Sequence, residues 1–303
     1  MSITEEKLNL LRQIIGGAPK KIALLSHTNP DGDTIGAALA WRSYLERLGH
    51  TTCCIAPNRY PYFLEWMTDI GHIGVFKEDH DGAMARFIGE ADVIFCMDFN
   101  QINRLDRVTD TVTANTTAVR VLIDHHLHPP VDGYAVQFSD THACSTSYIV
   151  YQLLEAMAGT DAIDQAMAES LYVGIMTIIN SLREVCTMPV QGLSNGAQPV
   201  TGFNYGARLY DRVRQSIRFS VTGTVLYAAA FWAIAMLFPG FLIRIFSNEP
   251  DVIEHGIPAL RIYFCLFIPM SLQMAGQGVF VSLGRSKQAV FFSLLRKAII
   301  NAP

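Results

Sequence analysis

Three short polar segments carry the residues that could do chemistry. They are His27, Asp31 and Asp33 in HTNPDGD, Asp98 at the end of VIFCMD, and Asp124, His125 and His126 in DHHLHP. Gathered in one place, four carboxylates and three imidazoles would repel as bare anions and desolvated rings, and divalent cations resolve this. Mixed oxygen and nitrogen donors suit Mn2+, Mg2+, Fe2+ or Zn2+, and the absence of cysteine among them argues against structural zinc. A carboxylate such as Asp98 could bridge two ions about 3.5–4 Å apart, the arrangement used in two-metal phosphoryl hydrolysis. Taken singly, each segment has an ordinary alternative: Asp31-Gly32-Asp33 as a turn, Asp98 as a helix cap, and Asp124-His125-His126 as a polar strand end.

What decides between these readings is the set of elements that must carry the residues. Thr4 to Ile15 has a helical apolar period, ended by Gly16, Gly17 and Pro19. Lys21–Ser26 is a short apolar run of strand length that breaks into HTNPDGD, and a helical pattern follows from Thr34 to Leu48. Strand, polar loop and helix make the opening unit of a parallel α/β sheet. Further strands are expected at Thr51–Ala56, Val93–Met97, Val119–Ile123 and Tyr134–Phe138, and helices at Ser145–Ala158 and Ala162–Ile175. All seven candidates then fall at the carboxyl ends of three strands, where an open α/β sheet forms its ligand crevice. Convergence is therefore expected, although the residues span about a hundred positions.

HTNPDGDTIGA, the strand ending in MDF, and DHHLHP resemble the first three motifs of the DHH phosphoesterases, in particular the nanoRNase and pAp-phosphatase branch. The resemblance covers roughly residues 5–177. It implies a hydrolase of short oligonucleotides and phosphorylated nucleotides such as pAp, working with two divalent ions, Mn2+ foremost. It implies that His27, Asp31 and Asp98 hold one ion and that Asp33, Asp98 and His125 hold the other. His126 would stand by the substrate phosphate, Asp124 would orient the histidine pair, and Arg104 could contact a phosphate. Two departures imply impaired activity. The family's fourth motif supplies one more aspartate after YVGIMT, where this sequence has Ile178. The second, substrate-gripping domain with its glycine-rich motif is also expected to be missing.

Beyond residue 178 the composition changes. Residues 1–178 hold 22 acidic and 12 basic residues, a net charge of −10, whereas 179–303 hold 5 and 11, a net of +6. An acidic domain with clustered His and Asp fits metal binding better than nucleic-acid affinity through bulk charge. Cys53, Cys54, Cys96, Cys144, Cys186 and Cys265 show no CxxC spacing and read as ordinary thiols in a reducing compartment. The charged amphipathic N-terminus is not a signal peptide. Phe219–Ile243 and Ile262–Gly284 are uncharged runs of 25 and 23 residues, each long enough to span a bilayer. Arg208, Arg212, Arg214 and Arg218 precede the first run, and Arg285 and Lys287 follow the second. That bias places these loops, and the N-terminal domain, on the cytoplasmic side of the cell membrane. The protein would be cytoplasmic if only the first domain were real.

MPVQGLSNGAQPVTGFNYGARLYDRV, with the following spans through SLGRSKQAVFFSLLRK, resembles the second half of MATE multidrug and toxic compound extrusion transporters over approximately 177–303. That resemblance implies a bilayer-embedded part of a cation-coupled antiporter, two full spans plus partial ones, with Gln191, Asn195 and Gln198 lining a polar cavity. The expected architecture is an incomplete α/β parallel-sheet domain (1–177) followed by an all-α transmembrane fragment (178–303). The two segments meet where the phosphoesterase needs its last aspartate. The expectation is therefore a chimera of two unrelated families, with hydrolysis as the stronger chemistry and MATE-type efflux as the alternative.

Overall fold

The computed structural model describes residues 3–245 and 250–300, with side chains throughout except at 178, 179, 181, 250–252, 255 and 295–300. The chain divides into two compact units, Met1–Ile178 and Ile179–Pro303.

The first unit is built on a six-stranded parallel sheet: β1 (Lys21–Leu25), β2 (Thr51–Ala56), β3 (Ile73–Val75), β4 (Val93–Met97), β5 (Val119–Asp124) and β6 (Val136–Ser139). Their order is β3-β2-β1-β4-β5-β6, and every pairing is parallel. Both faces are covered, so the strands read as apolar runs. Period-two alternation sends Ile22, Leu24, Val93, Phe95 and Met97 to one core, while Ala23, Leu25, Ile94 and Cys96 enter the other. The first core is closed by α1 (Glu5–Ile15), α2 (Gly32–Arg47) and α5 (Thr146–Ala158), with Trp41 of α2 set edge-on to Phe95 at 5.8 Å. The second lies under α3 (Ala83–Gly89) and α4 (Val108–Ala114).

β1 is flanked by β2 on one side and β4 on the other. Strand order reverses there, and the loops after β1 and β4 diverge to opposite faces and leave a crevice between them. The sequence placed four of these strands correctly and β6 two residues early. It missed β3, α3 and α4.

α6 runs from Gln165 to Gly206, well past the expected end at Ile175, and contains Pro189 and Pro199. The second unit continues with α7 (Tyr210–Leu237), α8 (Pro239–Arg244), α9 (Pro250–Phe264), α10 (Phe267–Ser282) and α11 (Ser286–Ile300). The two uncharged runs do not coincide with single helices. The first is interrupted at Phe238, before Pro239, which has no N–H to continue the ladder. The second is broken by a turn at 265–266. Tyr210–Leu237 and Gly256–Ser282 are nonetheless long and apolar enough to cross a membrane, and only 22 % and 28 % of their most apolar windows is buried. A core helix of a water-soluble fold would hide most of such a surface. The unit packs through small residues, Ser220, Thr224, Ala228 and Ala235 on α7 and Ser271, Ala275 and Gly278 on α10. Phe231, Phe264 and Phe267 form a cluster with ring centroids 5.4–5.5 Å apart.

Candidate metal centre

The loop from β1 to α2 carries His27, Asp31 and Asp33. Asp31 caps α2, its Oδ1 accepting the N–H groups of Asp33 at 2.9 Å and Thr34 at 3.2 Å. Asp33 points instead at the start of α5 and accepts backbone N–H from Thr146 (Oδ2) and Ser147 (Oδ1), both at 2.8 Å. Asp98 follows β4 with φ +64°. A left-handed aspartate is strained unless its surroundings hold it. Here the Asp98 N–H donates to the Ile123 carbonyl at 2.9 Å, and Thr146 Oγ1 donates to Asp98 Oδ1 at 2.8 Å.

The histidines close the site. The Nδ1 of His27 lies 2.8 Å from the Thr28 carbonyl, and the Nδ1 of His125 lies 3.3 Å from the Ala143 carbonyl. A carbonyl accepts only, so both rings carry a proton on Nδ1 and turn Nε2 the other way. His27 Nε2 faces Asp98 Oδ2 at 3.6 Å, and His125 Nε2 faces Asp98 Oδ1 at 3.5 Å and Asp33 Oδ2 at 3.6 Å. At these distances a positive charge between ring and carboxylate, either a proton on Nε2 or a bound divalent ion, holds the groups together. Ligating atoms within 4.8 Å of one another form two groups that share Asp98: His27, Asp31 and Asp98, and Asp98, His125 and His126. All the donors are oxygen or imidazole nitrogen. The chemistry of this set fits hard or borderline divalent ions.

His126 is held differently. Its Nδ1 donates to Asp124 Oδ1 at 2.7 Å, and Arg104 Nη1 lies 3.2 Å from its Nε2. Asp124 is fully buried, and its Oδ2 is without a hydrogen-bond partner. The loop bearing Arg104 is tied to the first motif by Thr28 N–H donating to the Arg104 carbonyl at 2.8 Å.

The electrostatics of these residues show the conflict between like charges. Burial, with Asp98 nearby, raises the Asp31 carboxyl, and the same causes push Asp33 well above the usual carboxylate range despite its two N–H donors. Burial also opposes the Asp98 anion, yet His27, His125 and His126 together hold it below the ordinary value. Burial disfavours the His27 cation, but Asp98 and the Thr28 carbonyl outweigh it and the ring is raised. The hydrogen bond to Asp124 raises His126.

All seven expected residues, with Arg104, thus sit at the carboxyl ends of β1, β4 and β5. Thr146 and Ser147 were not expected. They open the helix expected at Ser145–Ala158, and their role depends on contacts 48 to 114 positions away. Gly174 was also missed. A Cβ on it would stand 1.9 Å from Ser147 Oγ and 2.9 Å from Asp33 Oδ1, so α6 can back the metal loop only with glycine here. Gly36 of α2 is equally tight, 2.2 Å from the Ser170 carbonyl. The Ile178 side chain lies outside the described residues.

In the second unit, Gln191 and Asn195 lie on exposed positions of α6 and Gln198 is half-buried. Gln198 borders a void of about 10 Å3, room for one water, together with Ser194, Thr201 and Ser220.

Residues 160–303 match the MatE family model. The chain is 24 % identical over 289 residues to the bifunctional oligoribonuclease and PAP phosphatase NrnA of Thermus thermophilus, covering 94 % of this chain and 82 % of that protein. Such a length exceeds the first unit, so the alignment runs on into the second. A crystal structure of an exopolyphosphatase-related protein from Bacteroides fragilis superposes with a TM-score of 0.56 at 30 % identity, over 74 % of this chain. The chain spans 65 % of that protein's length. The N-terminal domain model of the DHH family matches residues 21–175, just over half of the 303, and the chain belongs to that family.

Proposed function

We propose that the first unit is a metal-dependent phosphoesterase acting on short oligonucleotides and on small phosphorylated nucleotides such as pAp. The observation that carries the reading is the convergence of imidazole nitrogens and carboxylate oxygens around Asp98, with the Nε2 atoms of His27 and His125 at 3.5–3.6 Å from carboxylate oxygens of Asp98 and Asp33. His27, Asp31 and Asp98 would hold one ion, and Asp33, Asp98 and His125 the other, with Mn2+ the favoured metal. Bound there, the ions would supply Lewis-acid charge to a phosphoryl oxygen and lower the pKa of water.

The protein's own residues do the rest. Asp124 fixes the His126 ring, and Arg104 and His126 together present positive charge at the rim. A substrate phosphate would take the Arg104 N–H that His126 Nε2 now accepts at 3.2 Å. Thr146 and the start of α5 keep Asp98 and Asp33 from turning away. The NrnA name of the Thermus relative supports the substrate class.

The isoleucine at 178 removes an expected carboxylate, so activity is reduced relative to a complete family member. The test is manganese titration of the detergent-solubilised full chain by calorimetry, followed by assay on a dinucleotide and on pAp. Micromolar binding of two ions with slow turnover is expected, and no manganese binding overturns the proposal.

For the second unit a membrane role is favoured by the outward apolar surface of Tyr210–Leu237 and Gly256–Ser282 and by the MatE match. The positive-inside rule puts Arg208–Arg218 and Arg285 with Lys287 on the cytoplasmic side, with the first unit. MATE-type antiport is the alternative function of the whole chain, and efflux of a cationic dye from cells expressing it would establish that. We read the chain as the fusion of two families at Met176–Ile178. Independent long reads of the gene across codons 174–180 test this, and an interrupted reading frame there would make the fusion an artefact.

A further inference from the structure

We propose that the groove between α6 and α7 seats one anionic phospholipid, its phosphate on Arg212 and an acyl chain along Gly192 and Gly196. The proposal rests on the reading of the second unit as membrane-embedded. The groove has a volume of about 550 Å3. Gly192 and Gly196 lie one helical turn apart, and a Cβ on either would meet nothing within 4 Å, so the missing side chains leave an open channel. Phe219, 73 % exposed, forms the apolar wall opposite. Arg212 stands two turns before Phe219 on α7, about 10 Å at the helical rise. Asn204 closes the same end from α6.

One end is therefore apolar and the other carries a guanidinium, the polarity of a lipid with its headgroup phosphate at one end. Arg212 has no side-chain hydrogen bond or ion pair among the described residues, whereas Arg214 meets Asp211 at 3.5 Å. It also lies in the first turn of α7, at the positive end of the helix dipole. Charge complementarity thus selects an anion: a cationic amphiphile would meet like charge at the mouth, and a zwitterionic lipid would gain only part of the attraction. Guanidinium binds phosphate through paired N–H donors.

The experiment uses the full chain in detergent, stripped of lipid, and compares phosphatidylglycerol with phosphatidylcholine of the same acyl chains by native mass spectrometry. The wild type should prefer phosphatidylglycerol by about fivefold, as one basic residue near a membrane surface gives. Arg212→Gln should abolish that preference, weakening phosphatidylglycerol more than phosphatidylcholine until the two bind alike. Arg218→Gln, outside the groove, should keep the preference. Gly196→Leu should weaken both lipids together. Equal binding of the two lipids by the wild type, or a preference that survives Arg212→Gln, overturns the proposal. Liposome flotation after a carbonate wash is read alongside. A chain that fails to float refutes the membrane reading itself, whereas one that floats without lipid preference refutes only this site.

Discussion

The two units bury opposite things. In the first, charged groups go inside and are fixed there: Asp33, Asp98 and Asp124 are each less than 5 % exposed, and each accepts at least one hydrogen bond. In the second, the buried polar side chains among the described residues are neutral, hydroxyls and the Asn204 amide, and Ser194, Thr224 and Ser271 find no hydrogen-bond partner for theirs. Its large apolar side chains point outward instead, with Phe219, Leu226, Leu237 and Ile262 all more than 60 % exposed. Water as solvent explains the first pattern, because buried charge must be matched by ligands or donors. The proposed lipid surroundings would account for the second, since small residues let helices approach and apolar side chains can face hydrocarbon. The difference teaches that burial in each unit follows its own rule, charge fixed inside the first and apolar surface turned outward in the second.

The largest expected effect is at Asp98, the one carboxylate shared by both ligand groups. Asp98→Asn keeps the shape and the Thr146 hydrogen bond but removes the charge. It should lower manganese affinity and hydrolysis by at least about 100-fold. Metal titration and single-turnover assay read this, and a variant within threefold of wild type would detach the buried charge from function. The next effect tests the solvent difference directly. Leu226→Arg and Val131→Arg both place a cation at an exposed apolar position, 66 % and 90 % exposed. At the centre of a bilayer such a change costs roughly 2.5–3.5 kcal/mol, whereas on a watered surface it stays within about 0.5 kcal/mol. Membrane-fraction yield should drop for the first variant only. Equal behaviour of the two would erase the contrast between the units.

Gly174 gives a smaller effect with a built-in rescue. Its hydrogen faces Ser147 and Asp33 with no space for a methyl group. Gly174→Ala should destabilise the first unit by about 1–3 kcal/mol through overpacking and weaken manganese binding by displacing Asp33. Adding Ser147→Gly removes the atom 1.9 Å away and should recover much of the thermal stability. No recovery in a melting experiment would mean that the strain lies elsewhere.

What was legible in the sequence was whatever local pattern reports. Apolar runs ending in Asp or His gave β1, β4 and β5, and with them the site. β3 is three residues at the sheet edge, and α3 and α4 are seven residues each, too short for periodicity to speak. Thr146 and Ser147 act through hydrogen bonds to residues far away in sequence, which no window can see. The tightness at Gly174 is a property of two packed elements, invisible in either one alone. The uncharged runs in the second unit marked the apolar surface correctly but not the helix ends, because Pro239 and the turn at 265–266 depend on backbone rather than on hydropathy.

The smallest expected effect bears on where one unit's rule gives way to the other's. Thr177 Oγ1 lies 2.6 Å from where a Cβ on Gly32 would stand, and it donates to the Val173 carbonyl at 3.1 Å. The last residues of the first unit therefore touch the loop that carries Asp31 and Asp33. A carboxylate in the next position is what the resemblance to the DHH motifs requires, and isoleucine stands there. Ile178→Asp should tighten manganese by about tenfold, at the low end for a restored ligand-shell group. The gain should vanish in the Asp98→Asn background, because a carboxylate serving the same ions cannot act once their shared ligand is gone. Calorimetric titration of the four chains of this cycle measures the coupling. Additive effects would place residue 178 outside the metal centre, and the first unit would then end before its chemistry does.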